Sequence, residues 1–413
     1  MENVAGLSGE KRNGMFSGRQ QTHIVIACFG GWTMDAFDFF ITAFALSGIA
    51  RDFSTDLTTM TWAMSLPLAT RIFGALSVGW LADKFGRRRV LVGNMIAFVL
   101  CETGVCLAPS LSVFLLFRAL FGLVMGGEWG VCTSYAMESI PLSKRGFVSG
   151  LLQSGYPVGY LFAAVLYGLI YESAGWRGMY LVSIGVALCV TILRMMLPDY
   201  RMDGEKKAAE SVSFRESMAG QWVLLGFAVL FMSAGATFSH ATQDLYPTML
   251  RAERGMTVHE VALVAVAYNM AAVAGCLCGG SLSQRYGRRK TIITSAAAIF
   301  LILPFWAMAS GLLASLLSAV VMQFLVMCVY GVMPAYLNEL APAAIRSTFS
   351  GFVYQIGFLL TSANATVQAW LATHQGWSYS TVLALTVAVS LVLFISLIVK
   401  GQETVRIAER SVL

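Results

Sequence analysis

Apolar residues run along this chain in blocks of about twenty, the number needed to cross a bilayer core as a helix. Short polar or basic breaks separate them. The blocks predict spans near 22–49, 60–82, 90–108, 111–138, 147–171 and 178–197, then 221–247, 260–282, 291–310, 313–337, 349–373 and 378–399. The interval 198–220 carries Asp199, Arg201, Asp203, Glu205, Lys206, Lys207, Glu210, Arg215 and Glu216, too many charges to enter lipid. It reads as a surface linker between two bundles, 22–197 and 221–399, with tails at 1–21 and 400–413. The expected fold is an all-α membrane protein of twelve transmembrane helices in two six-helix halves.

Composition strengthens that reading and removes others. Of 413 residues, 57% are hydrophobic and 12% charged, whereas soluble domains carry about 25% charged residues. A soluble globule would expose large apolar patches. The net charge of +6 is explained by its placement. With both tails cytoplasmic, twenty-two Lys and Arg residues fall on the cytoplasmic side and four, Arg51, Arg177, Arg251 and Arg254, on the other. This is the positive-inside pattern; a nucleic-acid footprint would gather the charge on one soluble face. The eight cysteines sit inside apolar runs and read as small packing residues, without disulfides or metal. The polar first 21 residues contain no signal-peptide core.

The halves repeat. Gly79-x-x-x-Asp83-Lys84-x-Gly86-Arg87-Arg88 recurs as Gly280-x-x-x-Gln284-Arg285-x-Gly287-Arg288-Arg289, an offset of 201. Glu138, Pro141, Arg145, Gly150 and Trp176 recur as Glu339, Pro342, Arg346, Gly351 and Trp377 at the same offset. Parallel repeats place a substrate site between the halves, near mid-membrane.

Charges inside spans are the candidate chemistry, because each costs at least ~2.5 kcal/mol at a helix centre. The first span holds Asp35 and Asp38, the second Arg71, the third Glu102, the fourth Arg118 and Glu128, and the seventh His240 and Asp244. Asp35, Asp38, Arg71 and Arg118 align at the 201 offset with Ala236, Ser239, Ala272 and Ala319. They are therefore not features of the repeat itself, and they point to substrate or proton handling in the first half. Arg71 offers a planar fork matched to a carboxylate; the competing role is a structural tie to Asp35 or Asp38. Arg118 reads as structural. Glu102 and Glu128 are proton sites or acids paired with Arg118, and Glu138 and Glu339 pair with the basic loops or stay solvated. His240 titrates near neutrality, and Asp244, one turn on, can hold its proton. His23, His259 and His374 lie at span ends and carry no predicted role. In the loops, Gly79, Asp83, Gly86, Arg87, Arg88, Arg288 and Arg289 form a candidate gate. Asp83 would accept from a helix N-terminus or an arginine across the half-interface, and Gln284 makes the second copy the weaker lock.

The loop Gly79 to Arg88 resembles the cytoplasmic signature of the major facilitator superfamily, and Arg118-x-x-x-Gly122-x-x-x-Gly126 resembles that superfamily's fourth-helix motif. Ser239-His240-Ala241-Thr242-Gln243-Asp244 looks like the signature of lactate/monocarboxylate:proton symporters, with Ala236 where that signature has Asn. Tyr336-Leu-Asn-Glu339-Leu-x-Pro342 and Tyr354-Gln355-Ile-Gly357 match too, although Phe358 replaces a second Asn. Asp35-Ala-Phe-Asp38-Phe and Gly127-Glu128-Trp129-Gly130 are similar to the related bacterial sialate:proton symporters.

The resemblance implies a proton-coupled importer of a small organic anion, lactate or another short monocarboxylate, with a sugar acid such as sialic acid as the rival. Arg71, Ser239, Thr242, Gln243 and Gln355 would bind the anion. Asp35, Asp38, His240, Asp244, Glu128 and Glu102 would couple protons. The partners are the anion, protons and the lipid bilayer, with no nucleic acid and no cofactor, and the unit is a monomer in the plasma membrane (the inner membrane of a Gram-negative cell). Other classes fit poorly. There is no Gly-Lys dipeptide for a P-loop, no dense nucleophile cluster for an enzyme, and the linker and tail are short for a transporter-like receptor.

Overall fold

The computed structural model describes residues 16–60, 62–198 and 221–404. The expected linker, apart from Pro198, and most of both expected tails lie outside the described residues. Among the described residues the regular structure is helical. The longer helices are α1 (Gly18–Asp52), α2 (Trp62–Phe85), α3 (Arg87–Cys106), α4 (Leu111–Gly126), α5 (Glu128–Ser139) and α6 (Arg145–Met195). The second half follows with α7 (Trp222–Ala241), α8 (Tyr246–Ala252), α9 (Val258–Tyr286), α10 (Arg288–Met308), α11 (Leu312–Tyr330), α12 (Met333–Leu340), α13 (Arg346–Leu360), α14 (Asn364–His374) and α15 (Tyr379–Lys400).

Ten helical runs among the described residues are long and apolar enough to cross a membrane. The difference from the expected twelve lies at two places. The run Leu142–Met195 covers 54 residues, far longer than one bilayer crossing. Within it Gly175, at φ 63°, breaks the helical path where two spans were expected to meet. The expected span 349–373 is divided into α13 and α14 by a turn at 361–363.

Local sequence explains the boundaries. Capping boxes open α1 (Ser17 with Gln20) and α9 (Thr257 with Glu260), where side chains answer the free N–H groups of the first turn. Gly86 and Gly287 each sit at φ 97° between two helices, a region costly for any residue with a Cβ. This is why the loop signature needs glycine there in both copies.

Burial divides the interior into clusters. One gathers apolar residues of α7 to α15, such as Phe231, Trp306, Tyr336 and Phe394, and reaches across to Trp32 and Trp129 of the first half. Another lies within the first half, and a third is made of first-half residues together with Ala335 of α12. The halves meet along α2–α13, α5–α13 and α6–α9. A Cβ on Gly130 would sit 2.6 Å from Gly351 Cα, so these helices touch backbone to backbone. All eight cysteines are free thiols and six are buried; Cys189 is exposed.

Candidate functional site

The first-half charges are almost wholly buried, and all but Glu102 are paired. Arg71 on α2 grips Asp35 on α1 with both terminal nitrogens, one bond at 2.9 Å. The pair is 8% and 1% exposed. One turn along α1, Asp38 accepts from Arg118 of α4 at 2.6 Å, and Arg118 also donates to the Ala63 carbonyl at 3.2 Å. Glu102 of α3 lies against Asp38, Arg118 and Ser183. Thr42 and Tyr180 share a 2.6 Å bond beside this group.

Glu128 departs from expectation. Its carboxylate is held by Arg194 of α6, with help from Asn94 at 3.1 Å and the Cys132 thiol at 3.0 Å. Its partner is therefore Arg194, and Arg118 belongs to Asp38. The charge count placed Arg194 with the cytoplasmic cations; in the fold it is completely buried. Only tertiary structure brings residues 128 and 194 together, yet Arg194 aligns at the 201 offset with Ile395, a mismatch that could have flagged it.

In the second half the helix breaks at the motif. α7 ends at Ala241, a turn follows, and Pro247 sits in the first turn of α8, where a missing N–H costs nothing. His240 in the last turn of α7 faces Asp244 at 3.0 Å, and both are about one-third exposed. The neighbouring polar residues are engaged with each other. Thr242 donates to the Ser239 carbonyl at 2.8 Å and accepts from Gln323 at 3.0 Å; Gln243 donates to the Ser239 hydroxyl at 3.1 Å. Gln355 of α13 donates to the Gly126 carbonyl at 3.2 Å, at the break between α4 and α5.

Aromatic rings link the two halves of the site, and the charge-led sequence reading passed over them. Tyr156 on α6 lies within electrostatic reach of Arg71 and Asp35 on one side and Asp244 on the other. Its ring stacks near Trp32 at 6.2 Å and meets Phe40 at 5.4 Å. Tyr354 on α13 stacks on Trp129 at 4.0 Å and leads through Phe358 to His240. In sequence such rings cannot be told from ordinary core.

On the side of the basic loops the halves are tied together. Asp83 at the end of α2 accepts the N–H groups of Ser347 and Thr348 (3.2 and 2.9 Å) and the Thr348 hydroxyl (2.7 Å), and so caps α13 of the other half. A helix N-terminus favours a carboxylate there. Glu138 accepts from Arg87 and from Arg346 across the interface, each at 2.9 Å. In the second copy Gln284 accepts the Gly146 N–H at 2.9 Å, Arg288 pairs with Glu339 at 3.1 Å, and Glu403 accepts the N–H groups of Arg288 and Arg289. Arg88 donates to the Met195 carbonyl at 2.7 Å, and Arg289 to the Ile398 carbonyl at 3.0 Å. Gly79 lies so near Thr348 that a Cβ would sit 2.8 Å from its Cα.

Comparison with known proteins places these features. The family model described as Major Facilitator Superfamily matches residues 28–359 and 245–411. A carboxylic acid transporter protein homolog of Saccharomyces cerevisiae is 27% identical over 83% of this chain, which spans 60% of that relative's length. The sialic acid transporter NanX of Escherichia coli is 23% identical, over 91% of this chain and 93% of its own. Among solved structures, the proton:xylose symporter XylE superposes with a TM-score of 0.77 at 14% identity, covering 96% of this chain and 99% of that one. That likeness concerns the fold.

Proposed function

Since the chain belongs to the major facilitator superfamily, a family of membrane transporters rather than enzymes, we propose that it imports a small organic acid together with protons by alternating access. Lactate is the first acid to try, and a sugar acid is the alternative that the NanX relative favours. The proposal includes twelve spans, cytoplasmic termini, a plasma- or inner-membrane location and a monomeric unit.

One observation carries this reading: Arg71 is already occupied. Asp35 takes both of its terminal nitrogens, so an incoming carboxylate must compete with a carboxylate already in place. A proton on Asp35 weakens that grip, because charge-assisted pairs are about twice as strong as neutral bonds. Protonation and anion binding then favour each other. Inward movement of an anion against a negative interior costs ~2.3 kcal/mol per 100 mV, and an accompanying proton removes that cost.

A second store lies beside the first. Asp38 Oδ1 has no donor among the described residues, and Glu102 lies against it with the Ser183 hydroxyl as its nearest neutral donor. A shared proton would answer both. Arg71 would grip the anion, with Ser239, Thr242, Gln243 and Gln355 shaping its surroundings and the His240–Asp244 pair as a further proton carrier. Glu128, locked by Arg194, Asn94 and Cys132, would position α5. The loop network of Asp83, Arg87, Arg88, Arg288 and Arg289 would hold one access state.

The test uses purified protein in liposomes with an inward proton gradient. We expect the gradient to accelerate lactate uptake. Asp35→Asn should retain anion exchange and lose gradient-driven accumulation. Wild-type uptake indifferent to the gradient, or Asp35→Asn still accumulating, would overturn the coupling.

A further inference from the structure

The polar residues expected to bind the anion beside Arg71 are largely committed elsewhere. Thr242 is 1% exposed and bonded to Ser239 and Gln323. The Gln243 amide donates to Ser239, and that of Gln355 to the Gly126 carbonyl. A site for a hydroxyl-rich ligand needs unspent donors and acceptors, because each buried hydroxyl without a partner costs binding.

The neighbourhood that joins Arg71 to His240 is built of rings instead. On the first half stand Trp32, Tyr156, Phe40 and Tyr160, with centroid separations of 6.2, 5.4 and 4.8 Å along the row. On the second half stand Tyr354 and Phe358, 4.7 Å apart, with His240 another 5.3 Å on. The rows meet where Trp32 presents its edge to Tyr354 at 5.9 Å. Tyr156, Tyr160 and Phe358 are of intermediate burial; Tyr156 and Phe358 pack against the core of the second half and still keep part of their surface open. The floor is stiff: Tyr354 lies flat on Trp129, and Gln153 ties them by accepting from the Trp129 indole at 3.1 Å and donating to the Tyr354 hydroxyl at 3.4 Å.

Two buried donors at this place lack an acceptor among the described residues, the indole N–H of Trp32 and Nε of Arg71. Trp32 is 4% exposed, so its N–H is removed from bulk water. Buried donors are rarely left unanswered unless something else binds them.

We infer that the preferred cargo is a flat, conjugated carboxylic acid, an aromatic-type acid larger than lactate. Its ring lies between Tyr156 and the Tyr354–Phe358 pair, and its carboxylate meets Arg71 and the Trp32 N–H. This rests on the organic-acid reading above and narrows it. Aromatic faces favour offset stacking or edge contact with a planar π-system, a preference that a puckered ring of the same size does not satisfy.

The experiment is binding of labelled benzoate to the purified full-length protein, competed by unlabelled benzoate, cyclohexanecarboxylate, lactate and sialic acid, with lactate exchange in liposomes alongside. Benzoate should compete at about tenfold lower concentration than cyclohexanecarboxylate or lactate. Tyr156→Phe should keep that ratio, and Tyr156→Leu should bring it near one while the melting temperature holds. Trp32→Phe, which keeps a ring and loses the N–H, should weaken every acid together.

Cyclohexanecarboxylate or sialic acid equal to benzoate, or a ratio untouched by Tyr156→Leu, overturns the inference. If lactate is exchanged and benzoate does not bind, the inference falls and the transport reading stands. If no acid in the panel binds or is exchanged, both fall.

Discussion

The two halves share a scaffold and differ in what they bury. Asp35, Asp38, Arg71, Glu102, Arg118, Glu128 and Arg194 fill the first half with buried charge. At the 201 offset their counterparts are Ala236, Ser239, Ala272, Leu303, Ala319, Val329 and Ile395. Among the described residues the second half packs mainly apolar side chains at these positions, and its His240–Asp244 pair is about one-third exposed. Buried ions are costly to desolvate and contribute little net stability even when paired. A fold that can pack aliphatic side chains at the matching positions does not need them for its architecture. The difference therefore marks the first half as the place where charge is handled, and the second as the wall against which it works.

Removing one partner of a buried first-half pair breaks that comparison most sharply. Arg118→Ala should destabilise the protein by ~3–5 kcal/mol, since it strands the Asp38 carboxylate beside Glu102. Adding Asp38→Asn should recover much of the loss. Gln323→Leu, in the second half, removes two neutral bonds, to the Thr242 carbonyl and hydroxyl, and should cost about 1–2 kcal/mol. Thermal melting in detergent orders the three; an Arg118 effect no larger than that of Gln323 would erase the distinction.

The loops give the same contrast at smaller scale. Asp83 brings a charge to the N-terminus of α13, whereas Gln284 brings a neutral amide oxygen to Gly146. Spin labels on the two halves near these loops should report an increase of about tenfold in the separated state for Asp83→Asn. For Gln284→Leu the increase should be only a few-fold, following the strengths of charged and neutral hydrogen bonds. Equal effects would mean that the repeat, not the charge, holds the gate.

The smallest effect should come from His240. Its attraction to Asp244 exists when the imidazole is protonated and is lost as pH rises and the ring becomes neutral. The pair is partly exposed and one helical turn apart, so His240→Gln should lower uptake at pH 5.5 by about twofold. At pH 8 it should leave uptake unchanged. A flat ratio across pH would remove His240 from proton handling.

Much of this contrast was legible in the chain before any coordinates. The apolar blocks and the shared offset carried the helices, the repeat and the unequal charge, because membrane burial is governed by composition and length. The Arg71–Asp35 contact was legible as one of two options. What stayed hidden depended on rotation and depth. Arg194 is near a span end and counts as an anchoring cation until α6 is seen to bring it under Glu128. Tyr156 and Tyr354 look like any membrane aromatic until the halves are joined. The committed state of Thr242, Gln243 and Gln355 was equally invisible, since a polar residue at the right motif position does not reveal whether its hydrogen bonds are already made.

The bond between Gln153 and Tyr354 has an evolutionary consequence. The two residues are 201 positions apart, so each is the other's counterpart in the repeat, and a contact between counterparts lies on the axis relating the halves. In an assembly of two identical chains a residue on such an axis can meet only its own copy. An amide reaching for a phenol there is closed to such an assembly and open to a single chain, whose halves are free to diverge at the point where they touch.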